Sequence, residues 1–504
     1  MKTLERRAIP SAGVGVARGR WRSTALVVLL AAVVLLPLLG HKALAEWDEG
    51  IYAEVSREML RTGWVVPHWN GEVWFEKPPL MLWVTAAFFK VFGVNELWAR
   101  MGSALAGVGL VGVLHGWLER RKGRLTAWFC TVVLLATMGF LRVARVGELD
   151  VLLSLGCCVA LIGLTKVDEG EGGWGLFWGG FAVAAMTKGA AAAVVPLTAV
   201  VFAVVQEWRL SKFGRAFWLG LWGFGVVVLP WHLAMWRTFG ERFWAEYVGL
   251  HVMARATSQI EGHVSHWWYY GVVLVATAMP FVLLWPVAAV DLWRRRELRV
   301  WVVFAVVVLV FYSVVQTRLP HYVAPIYPAM AVVTAVWLGE RLRPFVEARR
   351  PLGFWVKWAV VAAVVWGLSV AVTGRMRREL RETKLADGRL MPNNAEAIGL
   401  LKDVSGRTQG VEGPLLVWRD GPHRSIATDV FYSGRAVQIV ELSPGGGERN
   451  RYSYDPRALS EAVLEGPRLI LVDKSLLAQL PAGMLYQQIA AKDGVAVGRI
   501  WRVR

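Results

Sequence analysis

The sequence predicts a polytopic, all-α membrane protein that carries a small α/β domain at its C-terminal end. Three observations predict this fold class. The 504-residue chain is 56% hydrophobic and only 19% charged, with a mean hydropathy of +0.43, which soluble domains rarely show. Its 28 Trp residues suit a protein with many membrane interfaces, where indole rings anchor. Beyond about residue 374 the long apolar runs give way to a polar segment with short strand and helix patterns.

The charge and the cysteines exclude several classes of protein. The formal net charge is +18, but long apolar runs separate the basic residues, whereas a soluble nucleic-acid-binding protein would collect them on one polar face. We therefore expect no nucleic-acid partner. Cys130, Cys157 and Cys158 all lie in apolar runs, so we interpret them as small buried hydrophobic side chains rather than metal ligands or disulfides.

The apolar runs define the predicted spans. Each is close to the ~17–25 residues that a membrane helix needs, except the short run at 80–92. The first follows a basic stretch and precedes Ala43-Leu44-Ala45, which resembles a signal-peptidase site; we interpret the run as a first membrane helix instead. The runs lie at residues 24–40, 80–92, 98–118, 125–141, 149–165, 174–187, 189–206, 216–237, 267–290, 300–316, 322–338 and 354–373.

The basic loops set the predicted topology. Cytoplasmic loops are rich in Lys and Arg, and the clusters fall inside only if run 80–92 lies at the membrane surface without crossing. This gives about eleven crossings, within a fold of about 11–13 transmembrane helices. The predicted domains are a cytoplasmic N-terminus at 1–22, a transmembrane catalytic domain at 23–373 with a first outer loop at 41–97, and an extracytoplasmic α/β domain at 374–504. The basic clusters lie at residues 18–22, 120–124, 209–215, 294–299 and 341–350.

The C-terminal segment predicts alternating strands and helices. We expect strands at 415–418, 437–442, 469–472 and 495–501, with helices at 395–401 and 459–464. The segment contains no glycine-rich phosphate loop, nucleophile elbow or metal-spaced cluster. Its sequence therefore assigns it no chemistry of its own.

The first outer loop contains the richest candidate motif. Asp48 follows the first predicted span and is expected to cap a short helix that runs to Leu60, with Tyr52 one turn further on the same face. Ile51, Val55 and Met59 line an apolar side of this helix. A solvated amphipathic helix with an N-terminal Asp is the structural alternative. Further along the loop, Lys77 stands at the mouth of an apolar helix, where it suits a phosphate or carboxylate partner, or simply extends toward the membrane surface.

Three further outer segments carry charged or hydroxyl side chains. Asp150 begins an apolar run, where Arg145 would be its ion-pair partner if its role were structural. His251 and Arg255 are one helical turn apart. Arg318 and the nearby Tyr322 lie in a tight turn between two spans, where their side chains suit binding of a phosphate. The structural alternative is a capped helical hairpin.

Together these segments place acids, cations and hydroxyls at one membrane face. A transporter or proton pump would usually place ionisable groups in the middle of the membrane. A substrate that fits the observed pattern has a lipid tail and an anionic head.

The order of these motifs resembles the GT-C superfamily of polyprenyl-phosphate-sugar glycosyltransferases. The resemblance is to the lipid A aminoarabinose transferase and dolichyl-phosphate-mannose protein mannosyltransferase family, and it covers about residues 46–335. It rests on Asp48-Glu49-x-x-Tyr52-Ala53-Glu54, Arg57-Glu58-Met59, Phe75-Glu76-Lys77-Pro78-Pro79-Leu80, Phe92-Gly93-Val94-Asn95-Glu96, Ala99-Arg100, Ala144-Arg145 to Asp150, Thr187-Lys188-Gly189, Pro230-Trp231, His251, Arg255 and Leu319-Pro320-x-Tyr322.

The resemblance implies roles for individual residues. It implies a catalytic function for Asp48, with Asp150 as a second aspartate at the cavity and Glu49 beside the first. It implies contact with the donor phosphate by the side chains of Lys77, Arg318, Tyr322, Tyr52 and Arg255. In one branch of the family Glu76 and His251 would bind a divalent metal ion, although the family chemistry needs no cofactor.

Two sites depart from the family pattern. Thr317-Arg318 stands where relatives usually have Ser-Lys, which keeps the charge but favours two-pronged contact with phosphate. Gly50 stands where relatives often have a larger residue. Both departures leave the identity of the sugar open.

The sequence thus predicts a glycosyltransferase of the cell inner membrane with an extracytoplasmic active site. It would transfer a sugar, with inversion, from a polyprenyl (undecaprenyl) phosphate carrier to lipid A, another glycan or a protein, in contact with membrane lipids. The alternative is a transporter or flippase for a lipid-linked glycan, which would place ionisable groups within the spans and show internal pseudo-symmetry.

Overall fold

A computed structural model describes most of the chain. The predicted span at 354–373 lies almost entirely outside the described residues, as does most of the segment that joins it to the C-terminal domain. The side chains of His251 and Arg255 also lie outside them. The described residues are 12–45, 47–257, 266–348, 366–367, 370, 374, 395–404, 411–419, 427–441, 457–464, 466–492 and 494–503.

Helices dominate the chain as far as residue 348. They are α1 (Ala12–Leu35), α2 (Asp48–Thr62), α3 (Leu80–Phe92), α4 (Glu96–Lys122), α5 (Arg124–Ala136), α6 (Met138–Arg145), α7 (Asp150–Glu169), α8 (Trp174–Lys188), α9 (Val194–Val205), α10 (Arg215–Phe239), α11 (Glu241–Trp244), α12 (Arg255–Thr257), α13 (Tyr269–Ala278), α14 (Phe281–Leu292), α15 (Arg296–Val314) and α16 (Ile326–Glu347). A π-helical segment, Ala245–Ala254, precedes α12, and a short 3-10 turn, Pro320–Val323, precedes α16.

Six helical stretches within the described residues are long and apolar enough to cross a membrane, or eight if two bent pairs each count as one span. The bent pairs are α5 with α6, at 70°, and α13 with α14, at 109°. The remaining predicted crossings are α1, which contains several Arg residues, and run 354–373. One further predicted crossing is the second half of the stretch Trp174–Val205. By length this stretch is counted as a single span, but the chain folds back on itself within it. The mostly helical, multi-pass fold predicted from the sequence is confirmed.

The stretch Trp174–Val205 forms a hairpin of α8 and α9. The rings of Trp174 and Trp208, which flank the stretch, lie 6.0 Å apart, so the chain must reverse between them. It reverses at Gly189, whose φ of 53° is a left-handed conformation that glycine adopts without strain. A Cβ on Gly156 of α7 would come within 2.7 Å of the Gly180 carbonyl of α8, so glycine permits this close helix packing.

The basic clusters meet at one end of the bundle. Arg121 pairs with Glu169, Lys122 lies 2.7 Å from Glu297, and Arg296 lies 3.5 Å from Asp168. Ion pairs thus join the ends of α4, α7 and α15 at a common end. This arrangement is the one that the positive-inside argument requires. Helix α3, only 13 residues long, fits the predicted role of a helix that does not cross.

The C-terminal domain contains a six-stranded mixed sheet. Strands β3 (Leu415–Trp418), β4 (Val437–Glu441), β6 (Arg468–Asp473) and β8 (Val495–Arg502) occupy the four predicted strand positions, and helices α17 (Ala395–Val404) and α19 (Leu459–Ala462) occupy the two predicted helix positions. The order is β5-β4-β3-β6-β8-β7. The first four strands are parallel to one another, and β8 pairs antiparallel with both β6 and β7. The sequence did not predict β5 (Arg457–Ala458), β7 (Met484–Lys492) or α18 (Ala427–Ser433). A separate two-stranded ribbon in the first loop pairs β1 (His68–Trp69) with β2 (Glu72–Val73).

The C-terminal domain packs on the first outer loop through one continuous apolar core. Arg57 of α2 donates to the Phe431 carbonyl at 2.9 Å, and the Asn70 side chain exchanges two hydrogen bonds with the backbone of Val437, at 2.8 and 3.0 Å. The Tyr432 hydroxyl accepts from the Leu44 amide at 2.8 Å. Buried side chains of α2, α3 and the sheet share a single cluster, so the loop and the domain form one packed unit.

Candidate active site

The charged groups at the opposite end of the bundle come from four separate elements. Asp48 is the first residue of α2 and Asp150 the first residue of α7, so both carboxylates lie at helix N-termini, where the partial positive charge of the helix favours an anion. Lys188 ends α8, and His321 lies in the turn before α16. The fold therefore gathers side chains that are far apart in the sequence.

Asp48 faces the turn before α16. Its Oδ2 lies 3.8 Å from Nε2 of His321, and its side chain is 38% exposed, so an incoming group can reach it. The helix that begins here runs to Thr62 and buries Ile51, Val55 and Met59, as the pattern predicted. Asp48 does not cap this helix, because the N-cap position is Trp47 and no side chain donates or accepts a capping bond there.

Asp150 is buried and ion-paired with Lys188. The Lys188 Nζ lies 2.7 Å from Asp150 Oδ1, and it also sits 5.2 Å from the centre of the Tyr322 ring. Asp150 and Lys188 are 2% and 9% exposed, so water screens this pair poorly. Arg145, the partner considered from the sequence, instead donates to the carbonyls of α1 near Leu35, at 2.8 Å.

Tyr52 lies among the carboxylates. It is buried one turn after Asp48, with its ring 6.1 Å from that of Trp74. Burial raises the pKa of its hydroxyl well above the usual value, and four surrounding carboxyl groups raise it further. The hydroxyl therefore stays protonated and can donate a hydrogen bond. The four groups are those of Asp48, Glu76, Asp150 and Glu148.

Glu49 holds the loop in place. Its two carboxylate oxygens accept from Arg100 at 2.7 and 2.9 Å, and the backbone amides of Ala45 and Gly147 donate to them at 2.6 and 2.7 Å. Both oxygens are engaged and the side chain is 2% exposed. The structure thus places this predicted catalytic residue in a clamp between α2, α4 and the turn before α7.

The predicted phosphate-binding cations border the same site. Lys77 lies 4.0 Å from Glu76, and its charge acts on the His321 ring. Arg318 is 9% exposed and donates to the Ser313 carbonyl at 2.5 Å. Next to it, the Tyr322 ring lies 5.1 Å from both Tyr312 and His321. The structure therefore brings Asp48, Lys77, Asp150 and Tyr322 to one end of the bundle.

The predicted metal site stays a prediction. Nothing is described of the His251 and Arg255 side chains, and Glu76 alone offers one buried carboxylate. Within the described part of the chain, no three His, Cys, Asp or Glu side chains lie close enough to hold an ion.

Sequence reasoning did not assign three residues to the site. Lys188 belongs to the Thr187-Lys188-Gly189 motif, and its position at the tip of a predicted hairpin is the sequence feature that could have assigned it to the site. His321 was visible in the turn before Tyr322. Glu148 gave no signal beyond its position two residues before Asp150, and its burial appears only in the fold.

The chain is similar to known membrane glycosyltransferases. The family described as dolichyl-phosphate-mannose-protein mannosyltransferase matches residues 76–236. The chain is 30% identical, over 351 residues, to the undecaprenyl phosphate-alpha-4-amino-4-deoxy-L-arabinose arabinosyl transferase of Serratia proteamaculans, covering 64% of this chain and 59% of that protein. The fold matches the crystal structure of ArnT from Cupriavidus metallidurans bound to undecaprenyl phosphate, with a TM-score of 0.72 and 22% identity over 94% of this chain and 97% of that one.

The chain thus resembles glycosyltransferases that use a lipid-linked sugar. The resemblance predicted from the motifs is thereby confirmed. The Archaeoglobus fulgidus oligosaccharyltransferase tethered to an acceptor peptide shares the fold more distantly, with a TM-score of 0.53 and 11% identity over 95% of this chain and 74% of that one. The chain spans about three fifths of the length of the curated arabinosyl transferases that it matches, since the alignment covers 59% of the Serratia protein.

Proposed function

We propose that this protein is an integral membrane glycosyltransferase that moves a sugar from undecaprenyl phosphate to an acceptor outside the cytoplasm. The observation that carries the proposal is the meeting of Asp48 with the Asp150–Lys188 pair at one end of an apolar bundle. Asp48 is accessible and Lys188 lies 2.7 Å from Asp150. Catalytic carboxylates and cations at the mouth of a lipid-facing bundle suit a substrate with a lipid tail and a phosphate head.

The cations offset the charge of the leaving group. When the bond between the anomeric carbon and the phosphate oxygen breaks, undecaprenyl phosphate leaves as an anion. Lys77 and Arg318 lie on the border of the site, where fixed positive charges stabilise that anion as it develops. Tyr52, which stays protonated, and Tyr322 beside Lys188 supply further contacts.

Asp48 acts on the acceptor. Its exposed carboxylate accepts the proton of an acceptor hydroxyl, or orients an acceptor that is already ionised, while the acceptor oxygen attacks the anomeric carbon from the face opposite the phosphate. Attack from that face inverts the configuration. His321 lies beside this carboxylate, with its Nε2 3.8 Å from Oδ2, which is beyond hydrogen-bonding distance.

The buried ion pairs position these groups. Asp150 holds Lys188 at 2.7 Å, with the lysine charge facing the Tyr322 ring, and Glu49 fixes the start of α2 through Arg100. Both are positioning roles, because both oxygens of Glu49 and Oδ1 of Asp150 already bind protein groups. Asp150 also adds negative charge near an anomeric centre that becomes positive.

The relatives support the proposed lipid-linked donor. Undecaprenyl phosphate occupies the Cupriavidus ArnT structure, and the curated relatives are named as arabinosyl transferases. We propose the inner membrane as the location, with the site on the face opposite the basic clusters, and lipid A, another glycan or a protein as acceptor.

Product analysis tests the proposal. Membranes containing the wild-type chain are supplied with undecaprenyl phosphate that carries radiolabelled 4-amino-4-deoxy-L-arabinose or mannose. We expect label to move to lipid A, glycan or protein, and Asp48→Asn to lower this transfer at least about a hundredfold. Asp403→Asn, a substitution at an exposed position of α17, is the matched control and should transfer normally. Label that only changes leaflet, with or without Asp48, would identify a flippase instead.

A further inference from the structure

Glu148 is a buried acidic residue of the site that has no role in the proposed transfer reaction. It lies between α6 and α7, two residues before Asp150, and is 6% exposed. Its backbone is fixed, because its carbonyl accepts from the Ser103 hydroxyl at 2.7 Å and its amide donates to the Val146 carbonyl at 2.7 Å. The backbone from which the side chain projects is therefore held in a defined place.

Oε2 of the Glu148 carboxyl group is left unsatisfied by the described part of the protein. Arg142, at 3.8 Å from Oε1, is too distant for a hydrogen bond, and Oε2 has no hydrogen-bond partner among the described residues although it is shielded from water. An unsatisfied buried carboxyl oxygen is costly for a folded protein. Such a group at an active site is ready to bind something that arrives with the substrate.

The groups that face Glu148 come from four elements. Arg142 lies on α6, Asp150 begins α7, Asp48 begins α2 and Lys188 ends α8. Burial, partly offset by Arg142 and increased by the two aspartates, raises the pKa of Glu148 to about 8. At neutral pH the group is therefore mostly an uncharged acid, which both donates and accepts hydrogen bonds.

We propose that Glu148 binds a hydroxyl group of the sugar carried by the lipid donor. The inference rests on the proposed function, and it adds a sugar-recognition residue that the reaction itself does not require. A sugar hydroxyl also donates and accepts, so it matches both oxygens of a neutral carboxyl. The phosphate is a poor partner for Glu148, because the nearby Lys188 is already paired with Asp150 at 2.7 Å. The cations proposed to hold the phosphate, Lys77 and Arg318, border the site elsewhere.

Binding measured without an acceptor tests this assignment. The purified full-length protein in detergent is titrated with bare undecaprenyl phosphate and with the carrier bearing mannose or 4-amino-4-deoxy-L-arabinose. We expect the wild type to bind a glycosylated carrier more tightly than the bare one. Glu148→Ala should weaken that binding about 5- to 10-fold, which corresponds to one lost hydrogen bond, and leave binding of the bare carrier unchanged.

The conservative variant and the bare carrier separate the possible outcomes. Glu148→Gln keeps a donor and an acceptor, so it should bind the glycosylated carrier within about twofold of wild type. Three outcomes would overturn the inference. Glu148→Ala could bind every probe as tightly as wild type does, or lose equal affinity for the glycosylated and the bare carrier. The wild type could also bind both glycosylated carriers no more tightly than the bare one. Failure of the wild type to bind even bare undecaprenyl phosphate would count against the proposed function instead.

Discussion

Lys188 and Asp150 show how one residue's role depends on a distant partner. Each is buried, and each is satisfied by the other at 2.7 Å. The sequence suggested Arg145 as the partner of Asp150 because it lies five residues away. The true partner lies 38 residues away and reaches Asp150 only because α8 packs antiparallel to α7. Sequence distance alone could not identify it.

Removing one member of this pair should harm folding as well as catalysis. Lys188→Met leaves Asp150 as an unpaired buried charge, which costs about 3–5 kcal/mol when such a pair is broken. We expect low yield and a lower thermal midpoint for this single variant. The double variant Lys188→Met with Asp150→Asn removes both charges, so it should recover most of the midpoint but not the transfer activity. A double variant as unstable as the single one would contradict this account.

Glu148 predicts a pH-dependent stability. In the unfolded chain its carboxyl releases its proton near pH ~4.3, whereas in the folded chain the pKa is about 8. Between these values the folded state holds the proton more tightly, so this residue's contribution to stability falls as the pH rises and levels off above about pH 8. Glu148→Gln abolishes the effect. The thermal midpoint of this variant should be slightly above that of wild type near pH 5 and several degrees above it near pH 8. An equal difference at the two pH values would show that titration of the Glu148 carboxyl does not affect stability.

At the scale of elements, the helix α2 was the best-predicted part of the site. The spacing of Ile51, Val55 and Met59 predicted its buried face, whereas Asp48 is the first residue of the helix and not its predicted cap. The pattern could not predict what covers that face. The C-terminal helix α18 does so, through contacts such as that of Arg57 with the Phe431 carbonyl. Such contacts join residues hundreds of positions apart and leave no local periodicity.

Gly50, which departs from the family pattern, is explained by this packing. A Cβ at this position would lie 3.0 Å from the Ala427 Cβ and 3.3 Å from the Ala45 carbonyl oxygen. A side chain there must push α2 away from α18. The absence of a side chain at Gly50 is therefore matched to the C-terminal domain of this protein and need not reflect the sugar.

A pair of substitutions tests this close contact. Gly50→Val should lower both the thermal midpoint and the transfer rate, because it displaces the helix whose first residue is Asp48. Overpacking of this kind typically costs about 1–3 kcal/mol. Adding Ala427→Gly makes room for part of the new side chain and should restore some of both quantities. Full activity of Gly50→Val alone would show that Asp48 does not depend on this contact.

At the scale of the whole molecule, charge patterning and hydropathy predict different topologies. The rule that basic loops share one side required run 80–92 not to cross, and it is a 13-residue helix outside the set of long apolar helices. The ion pairs of Arg121, Lys122 and Arg296 then join the predicted cytoplasmic loops at one end. Hydropathy alone would have counted one more crossing and inverted much of the chain.

Accessibility labelling tests this topology. Val65 and Val91 lie before and near the end of α3, and they are 52% and 70% exposed. Cysteines at these positions should both react with a membrane-impermeant maleimide from the outer side, and a cysteine at Arg343 should react only after the membrane is opened. The native cysteines are buried, so the unsubstituted chain gives the background. Labelling of positions 65 and 91 from opposite sides would mean that α3 crosses.

The docking of the sheet domain on the first loop has a consequence for biosynthesis. Arg57 and its partner Phe431 are 374 residues apart in the chain. At ~5–20 residues per second, the ribosome completes the first about 20 to 75 s before the second. During that interval the helix that begins at Asp48 lacks the surface on which it rests. A nascent chain therefore enters the membrane with its reactive loop still unsupported, and the finished geometry arises only after the distal half has been translated and folded.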